Sequence, residues 1–117
     1  MTDLPTLQFL SADLFFQSRL QGHCSACGYR LHPINRLDQI GSPETTRGLI
    51  VDLEFPGLDF ERLGELLTEQ QLSAIGYGSH VKTHLFDAAR EAGMENLYSR
   101  GEIDARGVEI LDACFED

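Results

Sequence analysis

Gly48-Leu49-Ile50-Val51-Asp52-Leu53-Glu54-Phe55-Pro56-Gly57 is the stretch on which the fold turns. Its first half is a nearly continuous apolar run, without the alternation of a strand that has one wet face. Such runs belong to strands buried on both sides in a parallel sheet. The run ends in an acid, Asp52, and four residues later Pro56-Gly57 turns the chain. Proline has no N–H for a ladder and glycine accepts turn dihedrals, so the strand has to stop in between. An ionisable side chain at such a strand end is either solvated at the sheet edge or paired.

Working outward, residues 7–10 read as a first strand and residues 30–34 as a short second one. Residues 72–77 read as a fourth strand and residues 96–98 as a short fifth. Helical spacing fills the gaps. Phe16, Leu20, Cys24 and Cys27 recur on one face, with Gly28 as a stop. A weak helix is expected over residues 37–40, before the loop signal Gly41-Ser42-Pro43. Phe60, Leu63, Leu66 and Leu67 mark the next helix, and Leu85, Ala88, Ala89 and Ala92 another, closed by Gly93. Val108, Leu111 and Phe115 mark the last. Five β–α alternations predict one α/β domain over residues 1–117, a doubly wound five-stranded parallel sheet with helices on both faces.

In such sheets ligands bind at the carboxyl ends of the strands, at the topological switch point. The residues to inspect are therefore 11–13, 52–56, 76–80 and 99–101. Asp13 follows the first strand and Asp52 ends the third, and those two strand ends are neighbours in a doubly wound sheet. Two converging carboxylates make a hard-oxygen site suited to Mg²⁺. A carboxylate beside a divalent cation can act as a nucleophile toward a phosphoryl group. The alternative at this point is that both acids are simply solvated.

Of 117 residues, 42% are hydrophobic, which excludes a disordered chain. No apolar run approaches the roughly 18 residues of a membrane span. No Lys or Arg precedes Arg19, so there is no basic start for a secretory signal, and a cytoplasmic protein is expected. Lys and Arg number 9 against 19 Asp and Glu, a net charge of −10. The imbalance is local: residues 1–43 carry three of each sign, and residues 44–117 carry six basic and sixteen acidic. That field repels a phosphate backbone, so nucleic-acid binding is excluded, whereas a metal ion or a basic protein partner is compatible.

Three cysteines, an odd number, point to reduced thiols rather than a disulfide framework. Cys24 and Cys27 have the spacing of one zinc knuckle, but a tetrahedral site needs four ligands, and only Cys114, His23 and His32 remain as candidates. The same spacing places both thiols on the buried face of the first helix, which is the reading adopted. His80 and His84 are four apart; such a pair either ligates a metal or is solvated. Gly76-Tyr77-Gly78-Ser79-His80 is glycine-rich but lacks Walker spacing.

Residues 51–59 resemble the phosphoacceptor segment of response-regulator receiver domains, the CheY-like, flavodoxin-like fold, in which an Asp ends the third strand and a Pro stands four residues on. The βα order and Ala92-Gly93, closing the fourth helix, extend the resemblance over nearly the whole chain. It implies that Asp52 is the phosphoacceptor and that Asp13 is the second of the paired metal-binding acids, the first being Ala12 here. The switch Thr or Ser after the fourth strand falls on Gly78, with Ser79 one place later. The Lys after the fifth strand falls on Arg100, and the Pro after it on Gly101. A guanidinium keeps the charge but not the compact shape of an ammonium.

The resemblance therefore implies a divergent, stand-alone receiver of a two-component phosphorelay, with degenerate switch residues and no enzymatic activity of its own. Mg²⁺ would be held weakly by Asp13 and Asp52, with Arg100 contacting the acyl phosphate. Partners would be a histidine kinase or phosphotransfer protein and a downstream effector, with no membrane or nucleic acid involved. Homodimerisation or partner docking is expected on the face built from the fourth helix, fifth strand and fifth helix, where Arg90 and Arg106 lie. The alternative is a pseudo-receiver that binds partners without phosphate.

Overall fold

The computed structural model describes residues 4–115. Strands β1 (Thr6–Leu10), β2 (Arg30–Ile34), β3 (Gly48–Asp52), β4 (Ala74–Gly78) and β5 (Asn96–Ser99) form one all-parallel sheet. Their order, β2-β1-β3-β4-β5, places β3 in the middle, where all five of its residues are buried. The switch point lies between β1 and β3, as the sequence reading requires.

Helices α1 (Leu14–Ala26) and α4 (Arg100–Phe115) cover one face of the sheet, and α2 (Phe60–Gln70) and α3 (Thr83–Glu91) the other. Strand alternation sorts the core. Phe9, Ile50, Ile75 and Tyr77 point to α1 and α4, meeting Phe16, Leu20, Ile103 and Leu111. Leu10, Leu49 and Val51 point the other way, meeting Leu63, Leu66 and Ala89. No helix among the described residues is long and apolar enough to cross a membrane.

Two expectations need correction. Between β2 and β3 the chain makes only a 3₁₀ turn, Leu37–Gln39, so four α-helices stand among the described residues. Gly41 and Pro43 leave too short a segment for a helical nucleus to grow. The loop is held from below instead: buried Gln8 donates to Gln39 O and accepts from Gly41 N, both at 2.9 Å.

The second correction concerns the last helix. Val108 is 38% exposed, and Ile103, Gly107, Ile110, Leu111 and Phe115 face inward. The helix begins at Arg100, and Arg106 departs from helical geometry (φ −128°, ψ 29°), yet the buried stripe from Ile103 through Gly107 to Leu111 and Phe115 keeps helical spacing across it. Gly107 lets α4 approach α1 closely, since a Cβ there would strike the His23 ring.

Candidate functional site

The candidate site lies at the carboxyl ends of β1, β3 and β4. Register explains who meets there. Leu10 pairs with Val51, so Ser11 comes level with Asp52, and Asp52 itself pairs with Tyr77. Paired residues in parallel strands point to the same face, so the Ser11 hydroxyl, the Asp52 carboxylate and the Tyr77 phenol form a row under α1 and α4.

Asp52 is 4% exposed. Its Oδ2 accepts from Ser11 Oγ at 2.8 Å and its Oδ1 from the Glu54 N–H at 2.9 Å. Burial raises its carboxyl above the usual range, against the pull of these two donors and the nearby Arg100; the neighbouring Glu54 charge raises it further. The loop that follows is a tight turn, with Phe55 N donating to Asp52 O at 2.9 Å and Gly57 in the left-handed region (φ +70°). Pro56-Gly57 thus fixes the direction in which the chain leaves the carboxylate.

Asp13 lies in the same site but does a different task. It is the N-cap of α1: its Oδ1 accepts from Phe16 N at 3.0 Å, the main reason its carboxyl sits below the usual range. Its Oδ2 pairs with Arg100 Nη1 at 2.5 Å. Ser11 links the two acids, donating to Asp52 and accepting from Asp13 N at 2.9 Å.

Arg100 is placed by a capping box at the start of α4, in which Ser99 N donates to Glu102 Oε1 (2.9 Å) and Glu102 N donates to Ser99 Oγ (3.1 Å). Its guanidinium lies over the Phe16 ring at 5.2 Å and the Tyr77 ring at 5.9 Å. The structure therefore brings Asp13, Asp52 and Arg100 together, as expected, with Arg100 bonded to Asp13 rather than to Asp52.

Gly78 ends β4, and Ser79 enters through its backbone: its N–H donates to Glu54 Oε2 at 3.0 Å. Glu54 Oε1 accepts from Lys82 Nζ at 2.8 Å, which chiefly holds the Glu54 carboxyl below its usual range. Tyr77 is fully buried, and among the described residues its hydroxyl has no well-formed hydrogen bond, although the Ser11 hydroxyl, which donates to Asp52, lies near enough to lower its phenol somewhat. Burial, with Asp52 close by, drives its phenol well above the usual value.

Ser11, Glu54 and Tyr77 lie within the strand-end stretches marked for inspection but were given no role there, and Lys82 lies outside them. The capping-box pattern Ser99-Arg100-Gly101-Glu102 is a further local signal, for the start of the last helix.

The donor set is hard oxygen, which suits Mg²⁺ chemically. Asp13 and Asp52 are the carboxylates flanking Ser11, and each is already bonded. Among the described residues no three His, Cys, Asp or Glu converge as a metal cluster. Two carboxylates with the Ser11 hydroxyl between them are oxygen donors that fit such an ion. Among the cysteines, Cys24 is buried on α1 with its thiol pushed up to about 12 by desolvation, and Cys27 is half-buried beside it.

No protein-family model matches the chain, and no curated protein matches it. Solved structures do. The receiver domain of the TMAO respiratory system response regulator TorR is 15% identical, with a TM-score of 0.72 over 94% of this chain and 98% of that one. The CheY-like protein tadZ from Pseudomonas aeruginosa PAO1 is 17% identical, with a TM-score of 0.77 over 93% of this chain and 98% of that one. The receiver domain of the sensor histidine kinase PA1611 from the same organism, a structure with magnesium coordinated in its active-site cleft, is 14% identical. Its TM-score is 0.76 over 97% of this chain and 98% of that one. At these identities it is the architecture that is shared, and the chain has the CheY-like, flavodoxin-like fold of response-regulator receiver domains.

Proposed function

We propose that this chain is a receiver-type signalling domain of a two-component phosphorelay, with Asp52 as its phosphoacceptor. One observation carries the reading. Asp52 ends the central strand, is almost fully buried, and has its carboxylate aimed by Ser11 Oγ and the Glu54 N–H within the field of Arg100. A carboxylate fixed in this way needs little reorganisation to act as an oxygen nucleophile.

In the reaction with a phosphohistidine donor, an Asp52 oxygen attacks phosphorus and forms an acyl P–O bond. The P–N bond breaks, and the leaving imidazole takes up a proton. Arg100 supplies positive charge on the side of Phe16 and Tyr77, and the Glu54 N–H stays as a fixed donor. Mg²⁺, when bound by Asp13 and Asp52, supplies charge neutralisation for the incoming phosphoryl group. The partners on this reading are a histidine kinase or phosphotransfer protein and a downstream effector.

A second reading, a pseudo-receiver that binds partners without phosphate, is favoured by the engagement of Asp13 with Arg100 and with the first turn of α1. The two readings part on one experiment. The protein is incubated with Mg²⁺ and a small acyl-phosphate donor, and its intact mass is measured beside Asp52→Asn. Gain of one phosphoryl mass by the wild type alone supports the phosphoacceptor; no gain favours the pseudo-receiver.

A further inference from the structure

Glu54 touches both halves of the site. Its backbone N–H orients Asp52 Oδ1, while its side chain crosses to the loop between β4 and α3. There one carboxylate oxygen takes the Ser79 N–H at 3.0 Å and the other takes Lys82 Nζ at 2.8 Å. The crossing runs close past Gly78: a Cβ at that position would lie 3.8 Å from Glu54 Oε2, an ordinary contact. The Ser79 backbone is fixed in turn by Lys82 N donating to Ser79 O at 3.0 Å. An N–H and an ammonium, held on one loop beside a second carboxylate, form an anion seat, and the chain fills it from within.

We infer that the Glu54 carboxylate is an internal anion, seated on the Ser79 N–H and the Lys82 ammonium, and that it has to swing out before a phosphoryl group on Asp52 can take those donors. This deepens the phosphoacceptor reading and rests on it. The β4–α3 loop is then already in an anion-bound arrangement before any phosphoryl transfer, and phosphorylation exchanges one anion for another.

The test uses the full chain with Glu54→Ala and Glu54→Gln, each made with Asp52 intact and with Asp52→Asn. Inorganic sulfate and, separately, beryllofluoride with Mg²⁺ are titrated while the Ser79 amide resonance is followed. In the wild type, sulfate should leave that resonance in place. In Glu54→Ala it should move it saturably in both Asp52 backgrounds, and Glu54→Gln, which keeps the shape without the charge, should give an intermediate response. Beryllofluoride should bind about tenfold more tightly to Glu54→Ala than to the wild type, the effect of releasing a pair of charge-assisted bonds, and only where Asp52 is present.

Well-dispersed spectra in which neither Glu54 variant responds to sulfate would overturn the inference. Equal beryllofluoride midpoints in wild type and variants would overturn it as well. Sulfate seated in Glu54→Ala, with no variant binding beryllofluoride, would uphold the internal anion and count against Asp52 as phosphoacceptor.

Discussion

Ser11 stands level with Asp52 and one residue before Ala12, so a hydroxyl, not a second acid, is the immediate neighbour of the buried carboxylate. Asp52 is raised mainly by desolvation, so the folded protein holds its proton more tightly than the unfolded chain does. Above both pKa values the ionised group therefore costs stability, and that cost fades as pH falls through the folded value toward the unfolded one. Asp52→Asn should raise Tm at pH 7, with the advantage lost near the ordinary carboxylate range of about 4. Melting curves across that range check it, and a lower Tm for Asp52→Asn at pH 7 would contradict it. Tyr77→Phe should stabilise by about 1 kcal/mol, because a buried hydroxyl without a partner carries a desolvation penalty. Denaturant unfolding that shows a loss instead would mean that the hydroxyl has a partner in solution. Asp13 and Asp52 were legible in the sequence because they lie at strand ends, and Arg100 because the family resemblance puts it at the position of the Lys after the fifth strand. Glu54 and Tyr77 were not, since their meaning depends on which residue of a distant strand or loop lies opposite.

At the scale of elements, the apolar run of β3 and the Pro56-Gly57 turn were enough to place the central strand. Register then followed from the buried pattern, because a slip of one residue would put Asp52 on the face of Leu49 and Val51. The 3₁₀ turn at Leu37–Gln39 was not legible, because what organises it is the Gln8 side chain, a polar residue inside an otherwise apolar strand. In α4, Leu111 and Phe115 lie on the buried face as the spacing predicts, and only Val108 does not, because Gly107, packed against His23, holds the inward position beside it. Asp59 is the N-cap of α2, its Oδ1 accepting from Arg62 N at 3.0 Å, and Asp59→Ala should cost about 1 kcal/mol. Urea unfolding measures this directly; a change within error would show that Arg62 N finds another acceptor.

For the molecule as a whole, the excess of acid in residues 44–117 is compatible with a partner of basic character, and complementary charge sets specificity and association rate more than affinity. The face made by α3, β5 and α4 carries Arg90, paired with Asp87 at 3.2 Å, and Arg106, paired with Glu102 at 3.3 Å. These pairs are exposed and weak, so both cations remain open to a partner's acids. Charge reversal, Arg90→Glu with Arg106→Glu, should weaken self-association or capture of a purified cognate partner in a salt-sensitive way. Unchanged light scattering together with unchanged capture would remove that face as the interface. The central claim concerns Asp52, and transfer from a labelled phosphohistidine donor tests it most directly. The account predicts label on the wild-type chain that is lost in base, as an acyl phosphate is, and no label on Asp52→Asn; an unlabelled wild type, or label that persists on Asp52→Asn, would contradict it.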